Sequence, residues 1–167
     1  MTLLATLTAS SSASLIYTGI SWPSFKCYQI ILSDVSPATT PGAVLSVQGS
    51  IDSGSNYASL WDGHILTNES TWVRTAFASS QTCTVQNATD NANASGVLFL
   101  QLGETVSSST KTALYGRTTG WSGGGSAAPT TMLTMGFFSS TAPINTIRFT
   151  YSTGNIKSGS IRIYGIT

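Results

Sequence analysis

From Leu45 to Ile51 the chain reads LSVQGSI, with side chains of opposite character trading places at each step. A two-residue period sends successive side chains to opposite faces of an extended strand, and an α-helix cannot use it. Leu45, Val47, Gly49 and Ile51 share one side; Ser46, Gln48 and Ser50 share the other. The pattern recurs along the chain. In FKCYQIIL, Tyr28, Ile30 and Leu32 fall on one face. In NTIRFTYS, Ile147, Phe149 and Tyr151 point inward. In SIRIYGI, Ile161 and Ile163 point inward, with Arg162 and Tyr164 opposite. SGVLFLQL, TMLTMGFF, ALYGRT and SASLIYTGI read as further strands, and Leu3, Ala5 and Leu7 suggest one at the start.

Turn formers separate these runs. SDVSPATTPG, ETVSSSTKT and GWSGGGSAAP read as loops and DSGSN as a tight turn. STWVRTAFAS fits either a strand or one short helix capped by Asn68 or Ser70. No long stretch carries apolar residues at helical spacing, and there is no internal repeat or linker. The expectation is an all-β chain: one antiparallel β-sandwich domain over residues 1–167, jelly-roll-like, with about eight to ten short strands. The final run, NIKSGSIRIYGIT, is expected to add a full ladder and pin the C-terminal end.

Charge sets the next limit. Only 8% of the 167 residues are Asp, Glu, Lys or Arg, and the net charge is +1. Ordinary soluble domains carry about 25%. Hydroxyls and amides therefore hydrate this surface. The seven cations are scattered in sequence, so the electrostatic footprint of a nucleic-acid binder is missing. A near-neutral surface also suits a protein made to assemble. No apolar run of membrane-spanning length occurs, which argues against membrane insertion by a helix. The segment MTLLATLTASSSASL has no basic residue before Lys26 and reads as a strand rather than a secretion signal.

Catalytic patterns fail on order and number. GWSGG, Gly120 to Gly124, matches the nucleophile-elbow string, which requires a strand–turn–helix setting followed by an acid and a histidine. After Ser122 the chain has no Asp, Glu or His. The single histidine, His64, follows Asp62 in WDGH and has no signalled nucleophile. One histidine and the distant Cys27 and Cys83 are too few for zinc; both cysteines read as buried free thiols, with a single Cys27–Cys83 disulfide as the open alternative. DSGSN offers oxygen atoms but lacks a calcium loop's closing glutamate. Three N-x-S/T strings, at Asn68, Asn87 and Asn93, match chance in so polar a composition. No cofactor and no metal are expected. Trp61, Trp72 and Trp121 stand in or near the expected loops, where an indole can stack on a sugar or anchor an interface. Trp61, His64 and Trp121 are the candidate partner or glycan contacts.

Three stretches carry a resemblance: ILSDVSPATTPGAVLSVQGSIDSGSNY, SGVLFLQL and IRFTYSTGNIKSGSIRIYGIT. With the opening ATLTASSSASLIYTGI, they resemble a group of small bacteriophage and prophage virion surface proteins that end in an SGxIRIYGI-like strand. The likeness runs from Leu4 to Thr167. It departs at one turn, where Asp52-Ser53-Gly54 stands for the group's DGG. Its motifs are turns and strands, so they mark a family rather than a mechanism. The resemblance implies a β-sandwich on a virion, in tail fibres or small standalone virion proteins, often trimeric. The resulting expectation is a non-enzymatic virion structural protein, assembled in the host cytoplasm. Its expected partners are itself, as a homotrimer, and other capsid or tail proteins. A head decoration or cement protein, or a short head fibre, comes first. A tail-fibre tip recognising a host surface glycan or protein is the alternative, and a non-viral carbohydrate-binding module follows.

Overall fold

The computed structural model describes residues 1–21, 24–38, 43–57, 60–63, 79–80, 83–88, 93–102, 112–122, 128–138 and 142–167. Its described residues are all-β. In chain order the strands are β1 (Thr2–Thr8), β2 (Leu15–Tyr17), β3 (Cys27–Pro37), β4 (Ala43–Ser50), β5 (Leu60–Gly63) and β6 (Ser79–Ser80). They continue with β7 (Cys83–Ala88), β8 (Ala94–Gln101), β9 (Ala113–Ser122), β10 (Ala128–Phe138), β11 (Thr146–Tyr151) and β12 (Ile156–Ile166).

Two antiparallel sheets form the sandwich. The larger has the order β1-β12-β3-β8-β9-β10-β5-β6, and the smaller β2-β11-β4-β7. Eight strands make its frame: β1 to β4, β7, β8, β11 and β12. Along that frame the first pairs with the eighth, the second with the seventh, the third with the sixth and the fourth with the fifth. Nested pairing of this kind is a hairpin ribbon rolled on itself, the jelly roll. The remaining strands, β9, β10, β5 and β6, extend the larger sheet beyond β8. Strand β7 lies against β9, β10 and β5 and caps that extension.

The alternating residues fill the space between the sheets. Tyr28, Ile30, Leu98, Leu100, Leu114, Ile161 and Ile163 come from the larger sheet, and Leu45, Val47, Ile147 and Phe149 from the smaller; all have no exposed surface. Gly49 interrupts the inner row of β4 for a steric reason. A Cβ there would stand 2.4 Å from the Phe138 ring, which fills that place itself. Ile51, beyond the end of β4, is exposed rather than inward.

Strand lengths depart from the sequence reading in two places. SDVSP is strand, not loop, because a bulge carries β3 past Leu32. Asp34 takes a left-handed conformation (φ 49°), and Gly159 on β12 opposes it at φ 110°. The pairing of β3 with β8 shifts between Leu32 and Val35. Asp tolerates this conformation better than most residues, and Gly adopts it freely. Likewise Gly120–Ser122 and Ala128–Pro129, read as loop, are strand, since β9 and β10 stay in register out to Ser122 opposite Ala128. The strand-or-helix alternative at 70–79 falls almost wholly outside the described residues, with only Ser79 placed, in β6.

Candidate interaction surface

The larger sheet carries apolar side chains on both of its faces. On β8, Leu98 and Leu100 face the core, while Val97 and Phe99 point outward, out of contact with it. The register carries this outer face across the sheet in rows. One row runs Leu3, Tyr164, Gln29, Phe99, Tyr115. The next runs Thr6, Arg162, Ile31, Val97, Arg117, Leu133. A third runs Ile166, Cys27, Gln101, Ala113, Phe137. Tyr115, Leu133 and Phe137 remain 37, 42 and 46% exposed. Phe99 and Tyr115 stack on each other, centroids 5.5 Å apart and planes 22° from parallel. This stacking occupies one face of each ring.

Polar residues border this patch. Ser33, Ser95, Thr119 and Thr131 lie toward one end and Gln101 toward the other. Arg117 and Arg162 are the charged members of these rows among the described residues, and both are exposed. The Arg162 guanidinium reaches Ser33 Oγ at 3.4 Å. Cys27 is half-buried with a free thiol, not the fully buried one expected, and burial pushes that thiol up from its ordinary pKa. Cys83 begins β7 in the other sheet, in register with Val47.

The smaller sheet presents a different outer face. Ser46, Gln48 and Ser50 point away from the core yet are buried. Arg148 accounts for part of this: its Nε donates to Gln48 Oε1 at 2.7 Å, and Nη2 donates to the same oxygen. The same guanidinium lies 3.7 Å from the centroid of the Tyr57 ring, a cation–π contact. The DSGSN turn packs beside this cluster. Asp52 accepts from Ser50 Oγ (2.7 Å), from the Asn56 backbone N–H (2.7 Å) and from Asn56 Nδ2 (2.8 Å). With its oxygens taken by the protein, the carboxylate serves the turn. Among the described residues no group of His, Cys, Asp and Glu is arranged to hold a metal ion.

Of the residues singled out from sequence, Trp61 and Trp121 are placed, and far apart. Trp61 lies in β5, in register with Phe137. Trp121 lies in β9, in register with Pro129. Phe137 pairs with Ala113, and Trp121 is eight residues further along β9, on the order of 27 Å at strand rise. Both are therefore strand residues rather than loop residues. His64 and Trp72 lie outside the described residues. The candidate elbow places Gly120–Ser122 inside a strand. The six outer residues Ile31, Val97, Phe99, Tyr115, Leu133 and Phe137 went unread as a surface, although GVLFL carries the sign: a strand apolar at consecutive positions has two faces to cover. Comparison with protein families, with curated proteins and with solved structures gave no match to this chain.

Proposed function

We propose that the chain is a non-enzymatic structural protein of a bacteriophage virion surface, a homotrimer that decorates or cements the head or forms a short head fibre. The observation that carries this reading is a sandwich whose larger sheet bears exposed apolar side chains, Tyr115, Leu133 and Phe137, on its outer face, in a chain with very few charges. Such a face is suited to continuous packing against other protein, the requirement of a shell component. The jelly roll supplies a rigid base, and the resemblance of SGxIRIYGI and its companion stretches to phage surface proteins supplies the setting.

The second reading is a tail-fibre tip that meets a host glycan or protein. It is favoured by Trp121 in the last two residues of β9, at the end of the β9–β10 pair. Immunogold labelling of intact particles with antibody against this chain separates the two. Label over the head supports decoration or cementing. Label confined to the tail supports the adhesin, and Trp121→Ala is then expected to lower adsorption. Particles without label end both readings.

A further inference from the structure

We infer that the outer face of the smaller sheet is a binding site for an acidic sugar, in which the Arg148 guanidinium takes the carboxylate and Gln48, Ser46 and Thr150 take ring hydroxyls. The inference rests on β11, β4 and the turn after β4, and it goes beyond the virion reading. Register sets the groups side by side. Arg148 stands opposite Gln48 on one side and Ile16 on the other, and Thr150 stands opposite Ser46. Directly opposed side chains on one face of a sheet are about 5 Å apart, so the four polar residues form one compact patch.

The guanidinium is fixed in place, but its charge is not neutralised. Nε and one N–H of Nη2 donate to the neutral Gln48 Oε1, and the Tyr57 ring lies against its face. Nη1 and the second N–H of Nη2 have no partner among the described residues. Together they form the fork that grips a carboxylate through two parallel hydrogen bonds. Asp52, in the neighbouring turn, is already spent on Ser50 and Asn56. A cation clamped by neutral groups has lost its rotamer freedom before any anion arrives, so binding costs little further ordering. The floor of the patch is unspent as well. Ser46 and Gln48 are 6 and 7% exposed, yet Ser46 Oγ and Gln48 Nε2 have no hydrogen-bond partner among the described residues. No fully buried side-chain N or O among those residues lacks a partner, so both atoms open to the surface. Half-buried Thr150 adds a hydroxyl beside them. Hydroxyl and amide groups flanking a carboxylate fork match the hydroxyls and carboxylate of an acidic sugar. An acidic protein segment would ask for an apolar centre, whereas here Ile16 and Tyr57 lie at the margin.

Titration of the full ¹⁵N-labelled chain at pH 7, followed by NMR, tests the inference with three probes: methyl glucuronide, methyl glucoside and acetate. The glucuronide is expected to give saturable shifts at millimolar concentration, with the Arg148 Nε and Gln48 Nε2 resonances among those that move. The glucoside, which lacks the charge, and acetate, which lacks the ring, are each expected to bind at least about tenfold more weakly. Arg148→Gln is expected to weaken glucuronide binding by about tenfold or more, and Arg117→Gln, on the other sheet, to leave it unchanged. Equal binding of the glucoside overturns the inference, because the guanidinium would then be idle. Equal binding of acetate overturns it too, leaving a site for small anions only. Absence of any saturable shift does the same. If Arg148→Gln fails to fold, the wild-type shift map decides: shifts centred on β4 and β11 support the site, and shifts centred elsewhere overturn it. Unlabelled particles would end the virion reading and leave this site standing, whereas labelled particles with a chain that ignores the glucuronide would do the reverse.

Discussion

At the scale of single residues, two positions carry consequences that can be measured. Asp52 accepts three hydrogen bonds, chiefly from the Asn56 N–H, and these hold its carboxyl down at about 2 against an ordinary 3.8. A depressed folded pKa means that the folded state favours the ionised form. The stabilisation is fully present above about pH 4 and is lost as pH falls toward 2. Asp52→Asn is therefore expected to melt earlier than the wild type at pH 7, and the gap between the two melting temperatures is expected to close between pH 4 and pH 2.5. A gap independent of pH would assign the loss to amide geometry rather than charge. Gly159 is the second position. A Cβ there would stand 2.5 Å from Asp34 O and 2.6 Å from Val35 Cα, at a φ of +110°. Strand β12 is held between β1 and β3, so the backbone has little room to yield. Gly159→Ala is expected to destabilise by about 2 kcal/mol or more, a range set by strained backbone and local clash. A urea midpoint equal to the wild type's would mean that the bulge opens freely.

Strands show why some of the fold was legible and some was not. Where a strand has a dry face and a wetter one, alternation announces both, and β11 and β12 follow the pattern read from NTIRFTYS and SIRIYGI. Alternation carries no information about where pairing stops. The ends of β9 and β10 are set by each other, so Gly and Ser persist in a ladder there that composition alone reads as loop. The bulge in β3 was hidden for the same reason, because Asp34 makes sense only opposite Gly159. On the candidate surface, sequence pointed to tryptophans because of their size, whereas the face is built from smaller residues that only register brings into rows. One contact tests the sandwich between its sheets. The Tyr151 hydroxyl of β11 donates to Val35 O of β3 at 2.9 Å in a buried setting, and burial pushes that phenol far above its ordinary pKa. Tyr151→Phe is expected to cost about 1–3 kcal/mol, since it leaves a buried carbonyl without this donor. Phe149→Ala, which empties a fully buried site between the sheets, is expected to cost about 3–5 kcal/mol. Denaturant unfolding of both variants checks the order. A larger loss for Tyr151→Phe would mean that the cross-sheet bond outweighs core packing.

For the whole molecule, scarce charge and the apolar outer face lead to one expectation about how stability and assembly respond to solution conditions. With 13 Asp, Glu, Lys and Arg residues and one histidine in 167, few ion pairs are available to screen, and only His64 has an ordinary side-chain pKa between pH 5 and 8. In the proposed trimer, association through an apolar sheet face would rest on apolar burial, to which monovalent salt contributes weakly. Raising sodium chloride from 50 to 500 mM is therefore expected to change the trimer dissociation constant by less than about threefold, where an assembly built on surface charge would lose far more. Isothermal dilution calorimetry should give a negative heat-capacity change of association, the mark of apolar surface leaving water. A steep salt dependence with no heat-capacity change would place the contact on Arg117 and Arg162 instead of the residues between them. The same two arginines would then be the positions to reverse in charge.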